Sequence, residues 1–328
     1  MKIMIILAVA YNPRYLDTFL DHLEWAFQKF DFEVQILTFW EYRKQFRNNK
    51  RAKFTFYKKP IHLSKDKWWF PFHNYSHLQI IENDFDHCVF LEEDMMFTKI
   101  VDETYFHANK ISLFVAEKYL SVLDQKMDVI YPRIWEGCLF VPRKILIQAI
   151  ENDIIFGNRK LLPDWKNTNE TKYPNLYTKH SGRFITIDEF ISSDKSDTMF
   201  EFSMWCFSNK IEVINYATDD KCQEGEIVIH FRGFEIFPWL IEMGEPVRTD
   251  VRPNDEHSFK YLNYLYLTCL YDSCYLQRSI SICSKELKIR FIDRLKKLNT
   301  DWMKPDTLEN HYDFIEYLNS QNDKIKLT

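Results

Sequence analysis

An apolar run that ends in three consecutive carboxylates constrains this chain more than any other feature. His-Cys-Val-Phe-Leu at residues 87–91 leads into Glu92, Glu93 and Asp94, and residues 95–97 are apolar again. Acids flanked on both sides by residues that favour burial are costly unless a cation or hydrogen bonds compensate them. The pattern predicts a buried strand whose end holds a hard divalent ion such as Mg²⁺ or Mn²⁺. On these residues alone, an acidic strand end facing water is the alternative.

Length and composition predict a sizeable core, and the low glycine content argues against a glycine-rich phosphate-binding loop. The chain has 328 residues, of which 46% are hydrophobic and 17% aromatic, and that is enough for one large domain. It has only six glycines and neither a P-loop nor a G-x-G-x-x-G pattern, so metal and basic side chains would have to hold a phosphate. The formal net charge of -5 argues against bulk attachment to nucleic acid or an anionic membrane.

The cysteines and the N-terminal segment indicate a reducing compartment. Seven cysteines are scattered without a C-x-x-C pair, which favours free thiols over a disulfide framework. Residues 3–10 are apolar but lack a small-residue cleavage site, so they predict a buried first strand rather than a signal peptide. No stretch reaches the roughly 18 to 20 apolar residues of a membrane span. We expect a cytoplasmic protein without a transmembrane segment.

Hydrophobic periodicity predicts alternating strands and helices in the first half of the chain. Such alternation is typical of a sheet with crossover helices, whose ligands lie at the carboxyl ends of the strands. A helix before the acidic strand is expected to bury Leu78, Ile81 and Phe85. The expected strands are 3–10, 33–39, 54–57, 87–91, 128–132, 212–216 and 227–230, the last of which His230 closes. The expected helices are 16–30, 74–85, 112–123 and 197–208, with a long polar loop over 158–183 and mostly helix beyond Pro253.

The order of these elements around the sequence FLEEDMMF resembles the metal-dependent nucleotide-sugar glycosyltransferases of the GT-A fold, whose Asp-x-Asp or Glu-Asp-Asp motif ends a central strand. The resemblance covers residues 1–235 in organisation and short motifs in detail. It implies a GT-A-like, Rossmann-related α/β domain over residues 1–250, with a mixed central sheet flanked by helices, and a mostly helical extension packed on it over 251–328. It also implies transfer of a hexose or related sugar from a nucleoside-diphosphate donor, which we expect to be a UDP-sugar, to a hydroxyl acceptor.

The same resemblance gives roles to residues at the ends of the first and fourth strands. Asp94, the last acid of the motif, is implied as the ligand of Mn²⁺ or Mg²⁺. Glu92 and Glu93 are implied as contacts to the ribose or the sugar. Tyr11 and Asn12, which follow the first strand, would lie near the nucleotide base. The cation would neutralise the charge that develops on the leaving diphosphate.

A later segment resembles the part of the family that handles the acceptor. Asp197 and Glu201 are four residues apart, so a helix places both on one face, and an inverting transfer needs one of them as general base. The sequence leaves the choice between them open, and a capping Asp with an exposed Glu is the alternative. His230 and Arg232 resemble the place where the family supplies a His to the metal or an Arg to the diphosphate. A structural histidine is the alternative for His230.

A basic and aromatic segment at residues 43–59 is consistent with either a solvated face or contact with an anionic acceptor. That acceptor would be a glycan, a lipid-linked glycan or a modified nucleic acid. Two other functions stay open for the chain: a metal-dependent nucleotidyltransferase, and a non-catalytic protein that binds nucleic acid or glycan. The cations of the segment are Arg43, Lys44, Arg47, Lys50, Arg51, Lys53, Lys58 and Lys59.

Overall fold

A computed structural model describes most of the first 230 residues. The described residues are 1–9, 16–46, 48–58, 70–92, 95–97, 99–115, 120–124, 127–131, 134, 137–158, 172–173, 175–180, 183–192, 198–218, 225–230 and 316. The predicted boundary between residues 250 and 251 and the predicted helical extension therefore lie outside them. Within the described residues, no helix is both long enough and apolar enough to cross a membrane.

Strands and helices alternate along the chain up to residue 92, and several strands then follow one another before the next α-helix. The strands are β1 (Lys2–Val9), β2 (Asp31–Phe39), β3 (Lys53–Tyr57), β4 (His87–Glu92), β5 (Met95–Phe97), β6 (Ile111–Leu113), β7 (Leu120–Asp124), β8 (Met127–Tyr131), β9 (Cys138–Pro142), β10 (Leu176–His180), β11 (Arg183–Thr186), β12 (Val213–Asn215) and β13 (Val228–His230). The helices are α1 (Leu16–Ala26), α2 (Arg43–Phe46), α3 (Phe70–Glu82), α4 (Arg143–Glu151), α5 (Ile187–Ile191) and α6 (Phe200–Ser208). Short 3₁₀ turns occur at Trp40–Tyr42 and Glu103–Tyr105.

The chain divides into two compact units. The first comprises Met1–Ala10, Lys29–Glu92 and Val101–Val228, and the second comprises Tyr11–Gln28, Glu93–Ile100 and Ile229–Thr328.

The first unit is built on a seven-stranded sheet in the order β3-β2-β1-β4-β9-β6-β12. β1 pairs in parallel with β2 and β4, β3 pairs in parallel with β2, and β12 pairs in parallel with β6. β9 runs antiparallel to both of its neighbours, β4 and β6. The sheet is therefore mixed, which confirms the predicted α/β fold. β4 is buried from His87 to Leu91, as expected for a central strand that is covered on both faces.

Helices α3 and α4 of the first unit pack on this sheet. α3 contacts β1, β2 and α4, and α4 contacts β9. The expected face of α3 was wrong in part, because Leu78 and Ile81 are each about half exposed whereas Ser76 and Ile80 are fully buried. Residues four apart share a helix face, and the face that the fold covers here is the one that carries Ser76 and Ile80.

A second sheet in the first unit corrects two predictions. Its four strands lie in the order β11-β10-β7-β8 and pair antiparallel. The helix predicted over residues 112–123 was wrong, because β6 ends and β7 begins there. β7 has strand partners on both sides, and such long-range pairing outweighs a local helical pattern. The polar loop predicted over 158–183 contains β10.

The described strands and helices of the second unit are α1, β5 and residues 229–230 of β13. β5 and β13 form a two-stranded sheet. α1 buries His22, whose Nε2 accepts a hydrogen bond of 2.6 Å from the backbone N–H of Phe97 in β5. The two rings also stack, with centroids 6.0 Å apart. Burial lowers the pKa of His22 to about 3, so the imidazole is neutral at physiological pH and can accept this bond.

Candidate functional site

The strand order places a topological switch point between β1 and β4. The chain continues from β1 to β2 and β3 on one side of β1 and then returns to β4 on the other side. The order 3-2-1-4 is that of nucleotide-binding α/β sheets, in which ligands bind at the carboxyl ends of the strands beside such a point. Ala8 of β1 is paired with Glu92 of β4 across it. Both strands therefore end at the expected ligand edge of the sheet.

Glu92 opens the acidic run at this edge. It is the first residue of β4 that is not buried, and its backbone N–H donates to the carbonyl of Gly137, 3.2 Å away. The prediction that the acids begin at the carboxyl end of a buried strand is thus confirmed for Glu92. Glu93 and Asp94 follow it in sequence and lie outside the described residues, as do Tyr11 and Asn12 after β1.

Helix α6 is fixed to the segment that adjoins the end of β4. The hydroxyl of Ser203 accepts the N–H of Ile134 at 3.0 Å and donates to its carbonyl at 3.1 Å. Ile134 and Ser203 are fully buried. The two hydrogen bonds therefore satisfy the N–H and the carbonyl of Ile134, which would be costly to leave unpaired in the core. Ile134 lies three residues before Gly137, which accepts the bond from Glu92. The helix is therefore positioned relative to the acidic strand end.

The start of α6 has a strained backbone. Met199 has φ of 56° in the left-handed region, which costs a non-glycine residue about 1–3 kcal/mol. Its N–H donates to the carbonyl of Phe156 at 2.7 Å, and the ring of Phe156 packs against Phe90 of β4 and Phe202 of α6. These contacts hold the turn in place. Asp197, two residues earlier, lies outside the described residues.

Glu201 lies in the first turn of α6 and is 2% exposed. Its Oε1 is 3.5 Å from the Nζ of Lys172. Lys172 also donates from Nζ to the carbonyl of Asp153 at 2.9 Å and to that of Asn152 at 3.4 Å. A buried carboxylate requires such a cation. The alternative in which Glu201 is simply exposed on a helix was wrong.

Asp188 of α5 holds the backbone beside this ion pair. Its carboxylate accepts the N–H of Lys172 at 3.0 Å and that of Tyr173 at 2.9 Å. α5 itself is fixed by a capping box between Thr186 and Glu189, which satisfies N–H groups at its start. Sequence reasoning missed Lys172 and Asp188, since both lie where a polar loop or its flank was expected and neither belongs to a recognisable motif.

His230 ends β13, the strand paired with β5. β5 begins at Met95, one residue after Asp94. The fold therefore pairs a strand that begins directly after Asp94 with a strand that contains His230. These two predicted metal ligands are remote from each other in sequence. Among the described side chains, no group of three or more His, Cys, Asp and Glu is arranged to hold a metal ion. That set includes neither Asp94 nor the His230 side chain, and Arg232 is also outside it.

Together, the fold and the site define a mixed α/β protein in which an acidic strand end lies beside the topological switch point of the central sheet. No protein-family model and no curated protein matches the chain. Among solved structures, the crystal structure of the galactosyltransferase LgtC in complex with donor and acceptor sugar analogues is similar to 51% of this chain, with 13% identity and a TM-score of 0.32. The match spans 66% of that chain, just under two thirds of its length. The α/β fold of this chain is defined by its strand order and pairing.

Proposed function

We propose that this chain is a metal-assisted glycosyltransferase that moves a sugar from a nucleoside-diphosphate donor, a UDP-sugar in the first instance, to a hydroxyl acceptor. The observation that carries the proposal is the position of Glu92, which opens three consecutive acids at the carboxyl end of β4 beside the switch point. A diphosphate is repelled by carboxylates unless a cation lies between them. An acidic run at a nucleotide-binding edge therefore suits a metal-bridged diphosphate.

Asp94 and His230 are the proposed ligands of Mn²⁺ or Mg²⁺. The pairing of β5 with β13 supports this pair, because neighbouring strands lie only about 4.8 Å apart and Asp94 precedes β5 by one position. One carboxylate and one neutral imidazole suit Mn²⁺ and leave positions for phosphate oxygens and water. When bound, the cation supplies charge neutralisation at the leaving diphosphate.

The remaining donor contacts are proposed from their places in the sequence. Glu92 and Glu93 accept hydrogen bonds from the ribose or the sugar, and the guanidinium of Arg232 binds the diphosphate, a role that suits its fork of donors. Tyr11 and Asn12 follow β1 and are proposed to contact the base, because ligands of such sheets lie where β1 and β4 end.

Of the two candidate bases we propose Asp197, with inversion at the anomeric carbon. A general base must come within hydrogen-bond reach of the acceptor hydroxyl. The carboxylate of Glu201 is buried against Lys172, which suits it for holding the start of α6 rather than for contact with an exchanging substrate.

A thermal-shift screen tests this function directly. Uridine, guanosine, adenosine and cytidine diphosphates are added with and without Mn²⁺, and the matching triphosphates are run in parallel. Binding to the folded state alone stabilises it by about 2.7 kcal/mol when the ligand is present at about 100 times Kd, so we expect a rise in Tm with Mn²⁺ plus one diphosphate. Release of that diphosphate from its sugar conjugate would then show turnover.

Two outcomes would contradict the proposal. A clear preference for a triphosphate would favour a nucleotidyltransferase. No response to any nucleotide with metal would favour a non-catalytic binding protein.

A further inference from the structure

β3 is one of the two outer strands of the seven-stranded sheet, and its surface is aromatic and basic. β3 pairs with β2, and no other strand within the described residues pairs with it. Phe54, Thr55, Phe56 and Tyr57 are all partly exposed, so neither face of the strand is sealed. Natural edge strands are protected from other chains by charges, and exposed lysines stand at both ends of this one, at Lys53 and Lys58.

Four rings form a row along this edge, which we call the aromatic row: Phe46, Phe54, Phe56 and Trp40. Phe46 and Phe54 stack with centroids 4.9 Å apart, and Phe54 and Phe56 stack at 6.0 Å with planes only 10° apart. Trp40 meets Phe56 edge-on at 6.2 Å. Phe46 is buried, whereas Trp40 is 52% exposed. The row thus runs from the core to a solvent-facing indole.

The aromatic row lies among cations. Residues 40–58 contain seven Lys and Arg residues and one carboxylate, Glu41, although the whole chain has a net charge of -5. The guanidinium of Arg43 lies 4.6 Å from the centre of the Trp40 ring, and Lys44 and Lys50 are exposed. Lys53 is paired with Glu33 at 2.6 Å. The basic surface is local, so it is complementary to a polyanion rather than a product of overall charge.

We propose that this edge, formed by the aromatic row and the described cations Arg43, Lys44, Lys50, Arg51, Lys53 and Lys58, binds single-stranded nucleic acid. Proteins that bind single strands combine a basic path for the phosphates with aromatic rings for the bases, and the described edge has both in a linear arrangement. A duplex hides its bases inside the stack, so exposed rings would add little to its binding. An anionic membrane surface is the weaker match because Trp40 is the one ring of the row that is more exposed than buried, which leaves little apolar area for insertion.

This binding does not require the proposed transferase activity. It is tested on the full chain without any nucleotide sugar or metal, so its failure leaves the proposed function untouched. A fluorescein-labelled oligothymidylate of about 16 nucleotides is titrated with protein by fluorescence anisotropy at about 50 mM and about 200 mM NaCl.

Two variants of this edge and one control variant test whether the edge binds the oligonucleotide. We expect Trp40→Ala to weaken binding about 5-fold or more, within the roughly 1–3 kcal/mol of one base-ring stack. We expect Arg43→Gln/Lys44→Gln to weaken it about 10-fold at low salt and to reduce the slope of log K against log salt by about 1.4, since each phosphate contact on a single strand contributes about 0.7. Lys144→Gln/Lys210→Gln removes two exposed cations of the first unit, in α4 and just after α6, and should change affinity by less than about 2-fold.

Four results would overturn the proposal. The first is a Kd for the oligothymidylate weaker than about 10⁻⁴ M at low salt, and the second is an equal loss of affinity in the edge variants and the control variant. The third is binding of the matching duplex as tightly as the single strand, with no effect of Trp40→Ala. The fourth is binding of phosphatidylserine vesicles without binding of the oligonucleotide. The last would assign the edge to a membrane instead. Circular dichroism confirms that each variant is folded, and all substituted side chains are substantially exposed.

Discussion

The ammonium of Lys172 lies 3.5 Å from the carboxylate of Glu201 and joins three parts of the first unit. Glu201 belongs to α6, and the same ammonium donates to carbonyls of Asn152 and Asp153 just after α4. The backbone N–H of Lys172 is held by Asp188 of α5. Lys172 lies within residues 158–183, which the sequence predicts as a long polar loop, so this ion pair ties one residue of that range to α6.

Replacing Lys172 by Met should destabilise the protein by roughly 2–4 kcal/mol, because the buried carboxylate of Glu201 loses its cation. Urea unfolding of Lys172→Met, Lys172→Arg and Lys172→Met/Glu201→Gln measures this. Arginine keeps the charge and should restore most of the stability, and the double variant should lose less than the sum of the single losses. Additive losses would show that the two side chains are not coupled.

Asp94→Asn should abolish metal-dependent nucleotide binding and turnover while leaving the fold intact, because it removes a charge without changing side-chain volume. Isothermal titration of the diphosphate with and without Mn²⁺ measures the effect. Asp84→Asn is a matched control, since Asp84 is exposed just before β4. Normal activity of Asp94→Asn would remove the central residue of the proposed site.

Asp197→Asn should lower kcat by about 10²-fold or more without weakening donor binding, within the usual contribution of a general base. Glu201→Gln should act mainly through stability, because its carboxylate is paired with Lys172. Turnover at saturating donor and acceptor separates the two, with Tm recorded for each variant. If Glu201→Gln alone removed activity in a folded protein, the roles of the two acids would be exchanged.

His230→Ala should raise the Mn²⁺ concentration needed for half-maximal activity at least about 10-fold, as expected for the loss of a ligand or its orienting partner, and should change Tm little. The measurement is a Mn²⁺ titration of activity at fixed donor. An unchanged Mn²⁺ requirement together with a large fall in Tm would identify His230 as a structural residue.

His22 should make the protein acid-sensitive. Its folded pKa of about 3 lies below the unfolded value of 6.5 because of burial, so the unfolded state binds the extra proton and stability falls as pH drops from about 6.5 towards 3. At about pH 5 the loss from this residue is about 2 kcal/mol. His22→Gln keeps an acceptor for the N–H of Phe97 and should flatten the profile between pH 7 and about 5 by that amount, measured by urea unfolding. His77, whose pKa burial lowers to about 4, contributes a further loss in both proteins. Identical profiles of the wild type and His22→Gln would mean that folding does not lower the pKa of His22.

Local pattern was sufficient for the central strands. β1, β2 and β4 lie where apolar runs of strand length predicted them, because a strand buried on both faces requires a continuous apolar run whatever its neighbours are. The edge strand β3 also lies where it was predicted. The same reasoning located α6, with its start displaced from residue 197 to Phe200. It failed for residues 112–123, where helical spacing is present but remote strands pair with the chain instead: β9 and β12 with β6, and β10 with β7.

The amino-acid pattern alone predicts an acidic run after a buried strand and a helix that contains Glu201, because these properties depend on residues close together in the chain. The three-dimensional fold was needed to show that Glu92 ends β4 beside β1 at the switch point, that Glu201 is buried against Lys172, and that the aromatic row lies on a sheet edge. Each of these depends on strand order or on a contact between residues at least 29 positions apart. Backbone pairing and burial select such contacts from many that the local pattern allows equally.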